Sequence, residues 1–336
     1  MPRCTECDMS TPPGKNVTLL VLSDIHYAGA AERARGSDYE LAVIKRPLTR
    51  ALASAYRHHI WFRDPFVRTP QLNDFLTKAE PADLVIVNGD YTCDSAFIGL
   101  ADPAALESAG ECIDKLKAKF GDRLHLVMGD HELGKRHMFS DKGSMRLASW
   151  RPTIGLGIKP LWKLAVGNYL LLAVASPLLA LPANRADALD DEWPEWQRLR
   201  QQHLDEVRAA FEAIEPHQRV LLFCHDPTAL PFLAQEEIVQ RRLPQIEQTI
   251  IGHLHTNLVF WKSRMLSGIP PIRSLGQSVY KITSALHQAR AWRPFKVRLC
   301  PALAGIELLN DGGYFTINLD PTAQRPAEFT FHPLPR

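Results

Sequence analysis

Residues 17–26 read VTLLVLSDIH, an apolar run that stops at an aspartate and a histidine. Four later stretches have the same form: DLVIVNGD at 83–90, LHLVMGDHE at 124–132, RVLLFCHD at 219–226 and TIIGHLH at 249–255. Each run is rich in Val, Ile and Leu and too short for a helix, which is typical of a buried strand. From residue 195 onward, between the third and fourth runs, apolar residues recur at near-helical spacing. This alternation predicts an α/β protein.

The predicted strands end in side chains that are able to bind metal ions. They are Asp24, His26, Asp90, Asp130, His131, His225, His253 and His255. Because the loops beyond the carboxyl ends of the strands converge on one crevice in α/β sheets, we expect these side chains to meet. Mixed carboxylate and imidazole ligands suit Mn, Fe, Zn or Co better than Mg or Ca. Their number fits two metal ions that share a bridging carboxylate, an arrangement used for displacement at phosphorus.

Composition excludes several other classes of protein. The chain has 336 residues, of which 46% are hydrophobic and 23% charged, with a net charge of +2, as in ordinary globular proteins. Six cysteines do not make a disulfide framework in a chain of this length, and Cys4 and Cys7 lack the second pair that a zinc site needs. The sequence has no G-x-S-x-G elbow, no P-loop and no G-x-G-x-x-G behind a strand.

No targeting or membrane segment is predicted. The first residues are polar, without an apolar core of signal-peptide length, and residues 164–181 are apolar but interrupted by Gly, Asn, Ser and Pro. We therefore predict a cytoplasmic protein, for which peripheral contact with a membrane remains open.

The motifs occur in an informative order. Along residues 17–256 they are Asp24-Ile25-His26, Gly89-Asp90, Gly129-Asp130-His131-Glu132, His225 and Gly252-His253-Leu254-His255. In this order they resemble the calcineurin-like metallophosphoesterase superfamily. The resemblance implies an α/β fold of the metallo-dependent phosphatase type, a two-sheet αββα sandwich that forms a single domain with a helical insertion.

The resemblance also implies a site for two metal ions, with Mn and Fe favoured. It assigns Asp24, His26 and His255 to the first ion, Asp130, His225 and His253 to the second, and Asp90 to a bridging position. Two cations lower the pKa of a bridging water, so that hydroxide attacks phosphorus in line. The departing alkoxide then needs a proton, for which His131 is the natural general acid. Glu132 or Asp94 is expected to orient its imidazole.

Two departures from the family pattern bear on function. Asp130 stands where the family usually has Asn, so the position keeps its ligand oxygen, loses an N–H donor and gains a negative charge. Asp94 comes four residues after Asp90, whereas the protein phosphatases of the superfamily have an Asp after three and lack the G-H-x-H ending. The spacing after Asp90 and the G-H-x-H ending favour the phosphodiesterase-like branch, whereas Asp130 is expected to bind metal more tightly and to attract phosphate less.

Basic residues are concentrated in two segments. Residues 248–306 contain eight Lys or Arg and no acidic residue, interleaved with aromatics, which indicates either attraction of an anionic substrate or a solvated basic face. Within an insertion at about 33–80, residues 41–63 contain five Lys or Arg and again no acidic residue. Pro47 is expected in the first turn of a helix with Leu48, Leu52 and Ala55 on one face. A lid, an anionic membrane contact and packing onto the core all remain open for it.

We place a flexible N-terminal tail at 1–16, the catalytic domain at 17–320 and a C-terminal tail at 321–336. Two apolar stretches around residues 310–313 predict a β-hairpin over about 305–319, added to the second sheet.

The predicted function is hydrolysis of a phosphodiester, pyrophosphate or phosphomonoester by a dinuclear metal site, with an anionic phosphate-containing substrate and no obligate protein partner. A nuclease with nucleic-acid contacts and a lipid-linked pyrophosphatase remain open within that class. A non-catalytic metal-binding scaffold on the same fold is the alternative.

Overall fold

The computed structural model of the protein describes residues 16–93, 97–137, 140, 142–268, 287 and 289–334. Its strands are β1 (Val17–Leu22), β2 (Leu84–Asn88), β3 (Leu124–Val127), β4 (Leu161–Val166), β5 (Tyr169–Val174), β6 (Arg219–Cys224), β7 (Ile246–Ile251), β8 (Val297–Leu299), β9 (Gly313–Leu319) and β10 (Glu328–Pro333). The five predicted strands are β1, β2, β3, β6 and β7, and each ends just before its predicted polar residues.

Two five-stranded sheets form, in the orders β10-β9-β1-β2-β3 and β4-β5-β6-β7-β8. Strands β1, β2 and β3 run parallel to one another, as do β5, β6, β7 and β8. The carboxyl ends of β1–β3 therefore open on one edge of the first sheet, and those of β6 and β7 on one edge of the second.

Helices cover the outer faces of both sheets. They are α1 (Ala30–Arg33), α2 (Tyr39–Ala42), α3 (Pro47–His59), α4 (Arg68–Lys78), α5 (Pro103–Phe120), α6 (Leu147–Gly155), α7 (Ser176–Leu179), α8 (Trp193–Glu212), α9 (Leu230–Leu233), α10 (Glu237–Arg242) and α11 (Asn257–Met265). None of the helices within the described ranges has both the length and the apolar character needed to cross a bilayer.

The alternation of side chains along the strands builds three apolar layers. On β1, Leu19 and Val21 point between the sheets and share a cluster with Phe223 of β6. Leu20 of the same strand packs in the cluster that contains Ile113 of α5. A third cluster joins α8 to the outer face of the second sheet. Strands covered on both faces read as continuous apolar runs, and the predicted two-sheet αββα sandwich is confirmed.

The C-terminal region differs from its prediction. The hairpin predicted over 305–319 does not form, because residues 306–309 turn instead of extending. Asp311 Oδ1 accepts a hydrogen bond from Ile306 N at 3.1 Å, so a local side-chain bond replaces a strand ladder there. The antiparallel pair is β9 with β10, and β9 also pairs with β1, so it extends the first sheet and not the second. The predicted tail at 321–336 thus contains a strand.

The predicted insertion is helical, with α1 to α4 between β1 and β2. Pro47 is the first residue of α3, as predicted. The face predicted to be apolar does not pack onto the core, because Leu48, Leu52 and Ala55 are exposed. Just beyond the helix, Phe62 is fully buried.

Candidate metal centre

The loops at the strand ends bring the predicted ligands together across the two sheets. Among the residues that the structure describes, three groups have ligand atoms within 4.8 Å of one another: Asp24, His26 and His255; Asp90, Asp130, His225 and His253; and His26, Asp90 and His131. We call the first group the closed cluster and the second the open cluster. All seven side chains predicted to bind metal lie in these two clusters.

Five residues of the two clusters have left-handed backbones. Their φ angles are 52° at Asp24, 49° at His26, 58° at Asp90, 56° at His253 and 59° at His255. Left-handed φ costs a residue with a side chain roughly 1–2 kcal/mol, and such strain persists where the surrounding structure enforces it, typically at functional sites.

Backbone hydrogen bonds and small residues hold these loops in place. Beyond the ends of β1 and β2, Asp24 N donates to Gly89 O and His26 N donates to Asp90 O, both at 3.1 Å. A side chain at Gly129 would collide with the Asp90 carboxylate. The glycine that precedes Asp130 is therefore a packing requirement of the site.

The closed cluster is sealed from solvent. His255 Nε2 lies 3.3 Å from Asp24 Oδ1 and 3.4 Å from His26 Nε2. His26 Nδ1 is 2.9 Å from Thr92 O, and donation of its proton there directs Nε2 toward the cluster. The rings of Trp61 and Phe62 lie 4.8 Å and 5.6 Å from the His255 ring, and so cover it.

The open cluster reaches the surface. Asp130 Oδ1 lies 3.3 Å from His225 Nε2 and 3.0 Å from His253 Nδ1. His225 Nδ1 contacts Asn88 O at 2.5 Å, which leaves Nε2 for the cluster. The His253 side chain is 31% exposed, and Lys135 Nζ approaches Asp130 Oδ2 to 3.4 Å from the solvent side. Burial raises the pKa of Asp130, but Lys135 and His253 outweigh it and hold that pKa well below its usual range.

Asp90 connects the two clusters. Its Oδ2 atom lies 3.1 Å from His225 Nε2, 3.8 Å from His131 Nε2 and 4.0 Å from His26 Nε2. The atom is buried and makes no hydrogen bond within the described part of the chain. A buried carboxylate oxygen without a hydrogen bond is costly, and a metal ion beside it satisfies this need. The residues present therefore fit divalent cations.

The imidazoles of the open cluster hold protons strongly. Burial lowers the pKa of His253, but the Asp130 carboxylate outweighs burial and raises it to about 9. Burial also lowers the pKa of His225, yet Asp90 and Asp24 hold it well above its usual value. In the closed cluster, burial raises the pKa of Asp24 to about 6. Protons on the imidazoles thus balance the charge of the buried carboxylates. A metal cation that binds to these imidazoles must displace the protons.

His131 lies beside the shared carboxylate. Its backbone N donates to Asp90 Oδ1 at 3.1 Å, and its side chain is fully buried with the ring 4.8 Å from that of His26. Asp94 lies outside the described residues, so its predicted role is without a structural account.

The Glu132 carboxylate joins two of the loops. One oxygen accepts from Tyr91 N at 2.9 Å, and the other accepts from Gly129 N at 2.7 Å and Asp90 N at 3.3 Å. Burial and the neighbouring Asp90 raise its pKa to about 8. Sequence reasoning missed these bonds, because the backbone N–H groups that donate to Glu132 leave no residue pattern.

A family model described as calcineurin-like phosphoesterase matches residues 17–257. The chain belongs to this family. It is thus a phosphoester hydrolase, and the family uses divalent metal ions. No curated protein matches the chain.

Solved structures that are similar to the chain include the following three. The phosphopantetheinyl hydrolase of Mycobacterium tuberculosis has 16% identity and a TM-score of 0.35, with 72% of this chain and 84% of that chain covered. A purple acid phosphatase from seeds of yellow lupin, Lupinus luteus, has 8% identity and a TM-score of 0.42, with 95% of this chain and 54% of that chain covered. A predicted phosphoesterase from Streptococcus pneumoniae has 11% identity and a TM-score of 0.27, with 95% of this chain and 99% of that chain covered.

Proposed function

We propose that this family member is a dinuclear phosphohydrolase that cleaves a phosphodiester or pyrophosphate. In this proposal the closed cluster would hold one metal ion and the open cluster a second, with the Asp90 carboxylate available as a ligand beside His26 and His225. The ligands mix imidazole nitrogens with carboxylate oxygens, which suits Mn, Fe, Zn or Co, and among these we propose Mn and Fe. The observation that carries the proposal is the position of Asp90 Oδ2, which faces His26 on one side and His225 on the other.

Divalent cations bound in such a pair of sites acidify a water molecule and neutralise phosphoryl oxygens. The side chains of the chain itself supply what remains. His131 Nε2 lies close to the Asp90 carboxylate, and in this proposal it would carry the proton that passes to the departing oxygen. Glu132 fixes the loops that present Asp90 and Asp130, because it accepts backbone hydrogen bonds from both. Glu132 is thus a positioning residue in this proposal.

The accessible side of the site favours an anionic substrate. Lys135 and the partly exposed His253 lie at the entrance, where a phosphate group first meets the protein. The G-H-x-H ending at residues 252–255 and the spacing after Asp90 support a diester or pyrophosphate rather than a phosphoprotein.

The test is metal analysis combined with turnover. The metal-free protein is reloaded with Mn²⁺ and offered an aryl phosphodiester, an aryl phosphomonoester and a pyrophosphate. We expect about two ions per chain and hydrolysis of the diester or the pyrophosphate. Stoichiometric metal without turnover of any of these substrates would contradict the proposal and favour the metal-binding scaffold.

The substrate classes left open by the sequence are separable by a second measurement. A nuclease binds its substrate with an affinity that falls steeply with salt, because counterions are released from the phosphates. A lipid-linked pyrophosphatase needs detergent or vesicles for turnover. A soluble pyrophosphate cleaved at the same rate with and without vesicles fits neither case and leaves a small-molecule substrate.

A further inference from the structure

Helix α3 turns large apolar side chains toward solvent. Leu48 and Leu52 are 74% and 64% exposed, and Tyr56 and Ile60 follow at the same four-residue interval with 42% and 38% exposure. Residues four apart lie on one side of a helix, so Leu48, Leu52 and Tyr56 form a row along α3, and Ile60 follows directly after its last residue. Single exposed leucines are common, but a contiguous apolar row marks an interaction surface.

The opposite side of α3 is the one that packs onto the protein. Ala53 and Arg57 are its buried residues, and the Arg57 guanidinium donates to Glu40 at 2.7 Å. The helix thus buries a small residue and an ion pair while it exposes leucines. Leucines contribute far more when buried than when exposed, so stability of the free protein does not account for this orientation.

A neighbouring loop extends the same apolar surface. Leu308 N donates to Ile60 O at 3.1 Å, and Glu307 N donates to Trp61 O at 2.8 Å, which fixes the loop against the end of α3. Leu308 and Leu309 are 53% and 43% exposed. We call the surface formed by Leu48, Leu52, Ile60, Leu308 and Leu309 the docking face.

The part of the docking face formed by residues 41–63 is bordered by cations, one of which, Arg63, pairs with Glu307 beside Leu308. No acidic residue occurs between 41 and 63. The exposed basic or imidazole side chains in that range are Lys45, Arg46, Arg50, His58, His59 and Arg63. An apolar strip bordered by Lys and Arg is the pattern of helices that lie in the headgroup region of a bilayer, and anionic lipids add electrostatic attraction.

The docking face adjoins the catalytic site. Trp61 follows Ile60 and stacks near both Tyr56, at 6.1 Å, and His255, at 4.8 Å between ring centroids. On the other side of His255, α11 begins at Asn257 and exposes Trp261 and Met265. Two elements that border the closed cluster therefore present apolar side chains to solvent.

We infer that the docking face binds the surface of an anionic lipid bilayer and holds the metal centre beside it. This inference concerns where the protein acts and does not depend on which phosphoester it cleaves. The leucines enter the acyl boundary, while Lys45 and Arg46 contact lipid phosphates.

Sedimentation with vesicles tests the inference. The full chain is mixed with vesicles of phosphatidylcholine alone or of phosphatidylcholine with phosphatidylserine. We expect binding to the mixed vesicles, weakened by salt, and a loss of about a hundredfold in the Leu48→Ser/Leu52→Ser variant, since each buried leucine contributes about tenfold or more. The Lys45→Glu/Arg46→Glu variant should lose the preference for phosphatidylserine.

Matched controls keep the test specific. Ile154→Ser removes an apolar side chain of 38% exposure from α6, and Lys119→Glu/Arg241→Glu reverses two exposed charges elsewhere. Both control variants should bind vesicles as the unmodified protein does. Turnover of a soluble substrate should be the same in the Leu48→Ser/Leu52→Ser variant, which separates loss of docking from loss of catalysis.

Two outcomes would overturn the inference. One is equal vesicle binding by the unmodified chain and the double-serine variant. The other is absence of vesicle binding together with self-association of the unmodified chain that the double-serine variant abolishes, which would assign the face to a second copy of the protein.

Discussion

The closed and open clusters use the same chemistry in different surroundings. In the closed cluster, the side chains of Asp24 and His26 are fully buried, and Trp61 lies over His255. In the open cluster, His253 is partly exposed and Lys135 stands at the entrance. Because bound ions exchange through solvent, a cation in the closed cluster should be held permanently. We expect a substrate phosphate to reach the open cluster first.

The largest effect is expected from loss of Asp90, the residue of the open cluster that also faces His26 of the closed cluster. Asp90→Asn should lower turnover by about a thousandfold or more, since metal ions supply several kcal/mol of transition-state stabilisation and each 1.36 kcal/mol is tenfold. Metal content should fall in both clusters. Asp102→Asn is the matched control, because Asp102 is also buried but caps α5 away from the site. If the Asp90→Asn variant kept its turnover within tenfold of the unmodified protein, the two clusters would not act as one catalytic site.

Loss of the proposed acid should be nearly as severe but should leave the metal in place. His131→Gln should lower turnover by about 10²–10⁴-fold, the usual contribution of general acid catalysis. Substrates with a nitrophenolate leaving group, which needs no proton, should be affected less than alkyl esters. His203→Gln serves as the control for a buried histidine, since His203 accepts from Ala175 N outside the clusters. Metal loss in parallel with activity would instead make His131 a ligand.

The two clusters should bind metal with different pH dependence. The pKa of His253 is raised to about 9, so its ring carries a proton at pH 7 that a metal ion must displace. Displacement of this proton should make affinity at the open cluster rise about tenfold per pH unit up to about pH 9, and the proton on His225 should steepen the rise. The pKa of Asp24 is raised to about 6, so its carboxyl is already ionised above that pH. The contribution of Asp24 to the pH dependence of metal affinity at the closed cluster should therefore level off at a lower pH than that of His253. Mn²⁺ titrations between pH 6 and 9 measure this, and identical pH profiles at both clusters would contradict it.

The smallest effect is expected at Asp130, where the family usually has Asn. Asp130→Asn keeps an oxygen ligand, restores an N–H donor and removes a charge that Lys135 now balances at 3.4 Å. Turnover should be preserved or rise a few-fold, with a lower KM for an anionic substrate. Steady-state kinetics at saturating Mn²⁺ checks this. Near-complete loss of activity with both metals retained would show that the carboxylate itself is required.

The positions of the cluster residues were predictable because strand ends in parallel sheets converge. Asp24, Asp90 and His225 each follow an apolar run directly, and local sequence determines where such a run stops. The division into a closed and an open cluster was not predictable, because Trp61 reaches His255 from an insertion nearly two hundred residues away in sequence.

Other features depended on tertiary contacts that sequence patterns do not encode. Leu48 and Leu52 have helical spacing, which predicts a shared face but not the side of the helix that faces the protein. The sequence around Leu308 and Leu309 is apolar like that of a strand, yet Leu308 N donates to Ile60 O, directly after α3. The Asp311 side chain accepts from Ile306 N and so turns the chain locally.

A crystal structure of the Mn²⁺-loaded protein, with anomalous diffraction collected at the manganese edge, tests the central claim most directly. We predict two anomalous peaks about 3.5–4 Å apart, one among Asp24, His26 and His255 and one among Asp130, His225 and His253, with the Asp90 carboxylate touching both. A single peak, or peaks that Asp90 does not contact, would contradict the account.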